Sequence, residues 1–193
     1  PFRFDPILHL RYDQNKKRNE EIKSERLSPE EIVEIEHNDY ERTSYLKDHC
    51  EKFITPEFLN YQGNILFNCG AGNRDFTVGY SGVFRLCGSL WHPDCVYDLR
   101  NGNLESAWNE LVPKVRSMHS QNREFIESCL RCPYTNLCSN CPANVYLETG
   151  ELEGIVPYFC QVAHARAAAL QESMQQQGGP GSLKTTSNRK SDV

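Results

Sequence analysis

Four cysteines fall within thirteen residues of this chain, in the run Cys129-Leu-Arg-Cys132-Pro-Tyr-Thr-Asn-Leu-Cys138-Ser-Asn-Cys141. No other feature restricts its fold as strongly. A turn with two residues between cysteines points both sulfurs at one centre. Thiolates placed that way compensate the charge of a soft metal, and their pKa falls on binding. In a secreted protein the same side chains would form disulfides. The 193-residue chain has nine cysteines, an odd number that cannot pair completely within it, and its first residues do not read as a secretion signal. The reading is a metal-binding protein of a reducing, cytoplasmic compartment. Zinc and an iron–sulfur cluster are both open on these residues. Five residues between Cys132 and Cys138 is short for a zinc ribbon. A cubane cluster accepts a compact run plus a distant thiolate, and Cys160 supplies one. Ligand spacing alone does not decide the metal.

The charge balance is 26 acidic against 21 basic residues, a net −5, which argues against a nucleic-acid-binding surface. No apolar run is long enough to span a membrane. Phe2-Arg3-Phe4-Asp5 before Pro6 reads as a short strand ending in a carboxylate. It has no partner strand nearby, and the chain opens on Pro1 rather than Met, so a longer parent protein is expected. Arg11 to Arg26 is dense in charge and reads as an exposed loop or solvated helix. Ser28-Pro29-Glu30-Glu31 is a helix start with a capping hydroxyl, a first-position proline and two carboxylates at the positive end of the helix dipole. Glu41 to Phe53 is amphipathic, with Cys50 a half-buried thiol inside it.

Phe76 to Tyr80 and Val83 to Leu86 flank Ser81-Gly82, where Gly82 supplies the positive φ of a hairpin turn. Cys69 and Cys87 bracket this hairpin, so their thiolates should meet. Glu105 to Met118 has helical spacing with a kink or break expected at Pro113, and Trp108 reads as a core anchor. Pro142 to Thr149 is a short helix ended by Gly150. Gln161 to Gln175 is a last helix, with Cys160 just before it, and a disordered tail begins at Gly178. The six histidines show no paired metal spacing, Glu148, Glu151 and Glu153 form no convincing acid/base pair, and there is no phosphate-binding glycine loop.

The wider cysteine pattern resembles a known family. Cys69, twelve residues, Gly82, four residues and Cys87, followed by the run from Cys129 to Cys141 and then Cys160, is similar to the signature of SPASM domains. These are the C-terminal auxiliary-cluster domains of many radical S-adenosylmethionine enzymes, several of which modify peptides. Cys69-Gly70-Ala71-Gly72 and Asn103-Leu104 before Trp108 resemble the family as well. The similarity runs from Asn64 to Arg166. It implies two four-iron, four-sulfide clusters, one held by Cys129, Cys132, Cys138 and Cys160, the other by Cys69, Cys87 and Cys141. The chain departs from the pattern between Cys138 and Cys141, where two residues stand in place of three. Where some relatives have a further cysteine, six positions after the first, this chain has Asp75. A fourth ligand for the second centre is therefore open between Asp75, Cys95 and none.

The expectation is an α+β fold. Residues 1–12 would be the end of a partial barrel and 13–60 a helical bridge. Residues 61–166 would form a SPASM-like domain with a β-hairpin, and 167–193 a helix end and tail. No Cys-x-x-x-Cys-x-x-Cys loop occurs, so this stretch should not cleave S-adenosylmethionine by itself. The resemblance implies partners: a radical-generating barrel earlier in the same chain, a peptide or protein substrate, and an electron donor. It implies that the auxiliary clusters support substrate oxidation by electron transfer or by positioning. A structural zinc module for protein contacts and a ferredoxin-like electron carrier are the alternatives.

Overall fold

The computed structural model describes residues 5–48, 53–55 and 63–177. The strand expected over Phe2–Phe4, Cys50 and the tail from Gly178 lie outside the described residues. The architecture is mixed α+β: seven helices and a small antiparallel sheet among the described residues.

Three helices come first. α1 (Lys16–Ser24) starts where the Asn15 side chain accepts the Arg18 N–H, and it is solvated almost throughout. α2 (Pro29–Asn38) begins as its sequence demands. Ser28 Oγ accepts the Glu31 N–H at 3.2 Å and the Glu31 carboxylate accepts the Ser28 N–H at 2.7 Å, a reciprocal capping box. α3 (Tyr40–Asp48) follows directly.

The hairpin forms around Gly82, whose φ is +79°. β1 (Thr77–Val78) pairs antiparallel with β2 (Val83–Arg85), and β2 pairs with β3 (Val96–Asp98), a strand that the alternation of the sequence does not announce. The helical run after the sheet consists of an α turn Leu104–Ser106, a wider π segment Ala107–Leu111 and an α segment Val112–Arg116, together α4. Pro113 therefore does not break the helix. The register change just before it leaves its ring in the first turn of a new α segment, where a missing N–H costs nothing. α5 repeats the device, with an α turn Arg123–Phe125 leading into a π segment Ile126–Leu130. α6 (Pro142–Thr149) ends at Gly150 with φ +84°. α7 (Pro157–Gln177) starts four residues earlier than its Ala/Gln composition suggests, because Pro157 is preset for a first turn. Cys160 thus sits inside that turn and not before it.

Two cores hold these pieces. Phe84, Leu86 and Leu90 pack with Leu111, Val112 and Val115 of α4, with Cys95 and Ala143 closing the cluster. Ile7 and Ile32 pack with Val145, Phe159 and Val162, so the segments before residue 60 share a core with α6 and α7. Two buried ion pairs reinforce that seam. Arg26, in the charge-dense stretch expected to be exposed, is instead 7% exposed and forked onto Glu148, while its Nε donates to the Leu8 carbonyl at 2.9 Å. Glu36 of α2 accepts from Arg166 of α7 at 2.8 and 2.9 Å and from Arg42 at 2.8 Å.

Candidate metal centres

All eight described cysteines are free thiols. Seven of them fall into two neighbourhoods, set by how the chain turns around each.

Cys129 lies in the π segment of α5, where the wider turn changes which face of the helix each residue occupies. Cys132 follows one turn later, its N–H bonded to the Cys129 carbonyl at 3.2 Å. A 3₁₀ turn, Thr135–Leu137, then brings the chain to Cys138 in extended conformation. Cys160 arrives from the first turn of α7, its N–H bonded to the Val156 carbonyl. These four cysteines line one cavity of about 60 Å³, with Phe125, Val156 and Ala163 among its apolar walls. Their charges act on one another: Cys129 feels Cys138, Cys132 and Cys160, and Cys138 feels Cys132 and Cys160. Burial pushes the Cys129 thiol up to about 12 and the Cys138 thiol up to about 11. Backbone N–H groups work in the other direction, that of Tyr134 at Cys132 and that of Asn140 at Cys138. The Cys138 thiol also donates to the Phe159 carbonyl at 3.7 Å.

The second neighbourhood is more open. Cys69 is exposed on the Cys69-Gly70-Ala71-Gly72 loop, which the end of α4 holds from below: Arg116 Nη1 donates to the carbonyls of Cys69 at 3.0 Å and Ala71 at 2.7 Å. Gly72 has φ +75°, and a Cβ there would stand 2.9 Å from Leu86 and 3.2 Å from Val112. Strain and overpacking together make Gly72→Ala cost about 1–3 kcal/mol, read as a lowered melting temperature. Cys87 is half-buried at the end of the hairpin. Cys141 is the cap of α6, open to solvent on one side and packed on the other. Desolvation raises its pKa, the N–H groups of Asn144 and Ala143 at the helix start lower it, and Cys87 and Cys69 raise it again. Three cysteines from three parts of the chain are thus within electrostatic reach.

Cys95 is fully buried in the core beside α4, and burial pushes its thiol up to about 12, with Asp94 and Cys87 adding to the rise. Asp75 is an exposed loop residue just before β1. No three His, Cys, Asp or Glu side chains among the described residues converge on the geometry of a single metal ion. Two supporting residues gave no signal in the sequence: Arg116 and Arg166, whose Nη1 also donates to the Leu137 carbonyl beside Cys138 at 2.8 Å. Each acts through a partner far along the chain.

The raised thiols carry a pH consequence. Cys95, Cys129 and Cys138 have folded-state values of about 11 to 12, above the roughly 8.5 of an unfolded thiol. Their contribution to stability is therefore complete below about pH 8.5 and is lost as the pH rises through 11 to 12. Metal-free protein is expected to melt at progressively lower temperature across that window. A melting temperature that stays level from pH 8.5 to 11 would contradict the burial of these thiols.

No family model matches the chain, and no solved structure matches it. Over 92 residues, 47% of this chain, it is 34% identical to an uncharacterized protein of Archaeoglobus fulgidus. That aligned stretch covers 21% of the archaeal protein, so the match spans about a fifth of the relative's length.

Proposed function

We propose that this chain is an iron–sulfur-binding domain with two cysteine-ligated centres, acting as the auxiliary-cluster domain of a radical S-adenosylmethionine enzyme. One observation carries the reading. The thiols of Cys129, Cys132, Cys138 and Cys160 gather around one cavity, while Cys69, Cys87 and Cys141 lie within reach of one another elsewhere. The pairing is not one of simple sequence order, because Cys141 leaves its run and Cys160 joins it. It is the same division that the resemblance to SPASM domains implies.

The donor sets suit such groups. Soft thiolates favour iron–sulfur clusters, zinc or copper(I). Backbone N–H groups aimed at Cys132, Cys138 and Cys141 stabilise bound thiolate, and hydrogen bonds to sulfur tune a cluster's potential. The four cysteines of the first centre line one cavity, and the donor type alone leaves zinc and a multi-iron cluster to be separated by experiment. Bound clusters would supply one-electron chemistry. The protein's share is to hold the thiolates, with Cys129, Cys132 and Cys138 half-buried and Cys160 exposed in the first centre, and Cys69 and Cys141 exposed in the second. A peptide or protein substrate, and a radical-generating barrel in the same parent chain, belong to the proposal through the resemblance.

Anaerobic reconstitution followed by iron, sulfide and visible absorption tests it. About eight irons and eight sulfides per chain, with visible charge-transfer bands, are expected for two four-iron clusters. Stoichiometric zinc that iron cannot replace, in a colourless protein, would overturn the reading in favour of a structural zinc module.

A further inference from the structure

We propose that the hollow between α3 and the turn Thr135–Leu137 is a binding site for a small organic acid, with Arg42 taking the carboxylate. The inference is independent of the metal-centre reading above.

The hollow has a volume of about 280 Å³. α3 contributes Arg42, Tyr45 and Leu46 to its wall, and α7 contributes Arg166. Asn136 and Leu137 come from the turn, with Cys138 next to them, and Phe53 completes the lining. Phe53 is held from two sides. Its ring meets that of Tyr45 edge to face, with centroids 6.0 Å apart, and Thr55 donates its N–H to the Pro133 carbonyl at 3.1 Å. Tyr45, Leu46, Phe53 and Leu137 thus give the hollow an aromatic and aliphatic surface.

Charge in this wall is not balanced. Two guanidinium groups share one carboxylate: Glu36 Oε1 accepts from Nη2 of both Arg42 and Arg166 at 2.8 Å, and its Oε2 accepts from Arg166 Nε at 2.9 Å. Arg166 also spends its Nη1 on the Leu137 carbonyl. Arg42 has less. Glu36 is the one carboxylate paired with it among the described residues, and its Nε is out of water with no hydrogen-bond acceptor. Asp39 takes the backbone N–H of Arg42, at 3.0 Å, and not the guanidinium. A guanidinium carries five N–H donors, and a desolvated donor without an acceptor is costly. The Arg42 side chain is still 34% exposed, so an incoming anion can reach it. Guanidinium pairs with carboxylate and phosphate alike. The lining decides between them, because a bare inorganic anion leaves the apolar surface unfilled, whereas a carboxylate on a short apolar body covers it.

The test titrates the whole chain with benzoate, benzamide and inorganic phosphate by isothermal calorimetry, in wild-type, Arg42→Met and Phe53→Ala forms. Thermal melts check that each form is folded. The wild-type chain is expected to bind one benzoate with a Kd of about 1 mM or tighter. Benzamide, of the same shape without the charge, and phosphate, which has no apolar body, should each bind about tenfold more weakly or worse. Arg42→Met should lose about tenfold or more of the benzoate affinity, the size of a charged hydrogen bond. Phe53→Ala should lose about threefold or more through the missing aromatic wall. No saturable benzoate binding to the wild-type chain would overturn the proposal, as would an unchanged affinity in folded Arg42→Met. Phosphate binding as tightly as benzoate would also overturn it, by making the hollow an inorganic-anion site. If Arg42→Met does not fold, the other two comparisons decide: benzamide binding as well as benzoate, or full benzoate affinity in Phe53→Ala, would place the ligand elsewhere and sink the idea.

Discussion

Replacing Glu36 with alanine is expected to cost about 3–5 kcal/mol, enough to remove much of the stability of a domain this size. Glu36 is 5% exposed at its side chain and is the shared acceptor for Arg166 and Arg42. Without it, Arg166 keeps a buried positive charge and retains only its bond to the Leu137 carbonyl. The loss comes from that orphaned cation more than from the attraction given up. A Glu36→Leu, Arg166→Met double variant should therefore recover most of the deficit, since an apolar pair of similar volume removes the uncompensated charge. Denaturant unfolding of the three proteins measures both effects. A Glu36→Ala protein within about 1 kcal/mol of wild type would contradict the closed ion pair. Because Arg166 also holds the turn before Cys138, the double variant should regain stability without regaining full metal loading at the first centre.

Cys138→Ser is expected to abolish the first centre and halve the iron, from about eight to about four per chain. The half-buried Cys138 thiol is within electrostatic reach of Cys132 and Cys160 and accepts from the Asn140 N–H. Cys141→Ser, three positions on and in the other centre, should remove the other half of the iron. Cys95→Ala provides the contrast. Its side chain is wholly in the core, so the variant should lose roughly 1 kcal/mol to a small cavity while retaining its full metal content. Iron analysis beside thermal melts separates the three. Loss of a whole centre in Cys95→Ala would make that thiol the missing fourth ligand.

What could be read from the sequence was local. The capping box at Ser28, the hairpin around Gly82 and the stop at Gly150 each depend on two to four adjacent residues, whose conformational preferences are strong. The proposed division of the cysteines rests on resemblance to a family, since spacing alone groups Cys141 with its run. Other features depend on residues that meet only after folding. Arg26 and Glu148 are 122 positions apart, and Glu36 and Arg166 are 130 apart, so an apparently solvated stretch conceals one buried charge in Arg26 and helix α2 another in Glu36. β3 alternates too briefly to be distinguished from a loop and exists because β2 offers it an edge. Pro113 signals a break, and a π segment absorbs it by a change of register that no propensity encodes.

The two-residue link between Cys138 and Cys141 has a consequence for how charge would move. Ser139 and Asn140 are all that separates a thiol of one centre from a thiol of the other. A three-residue step spans at most about 11 Å of extended chain. With both centres loaded, this short tether would limit their separation however the rest of the domain breathes. The pair would then behave as a relay of bounded length, from a cluster among α5 and α7 to one at the start of α6. The spacing of the wire would be written into the covalent chain, and only the potentials at its two ends would be left for the surrounding side chains to adjust.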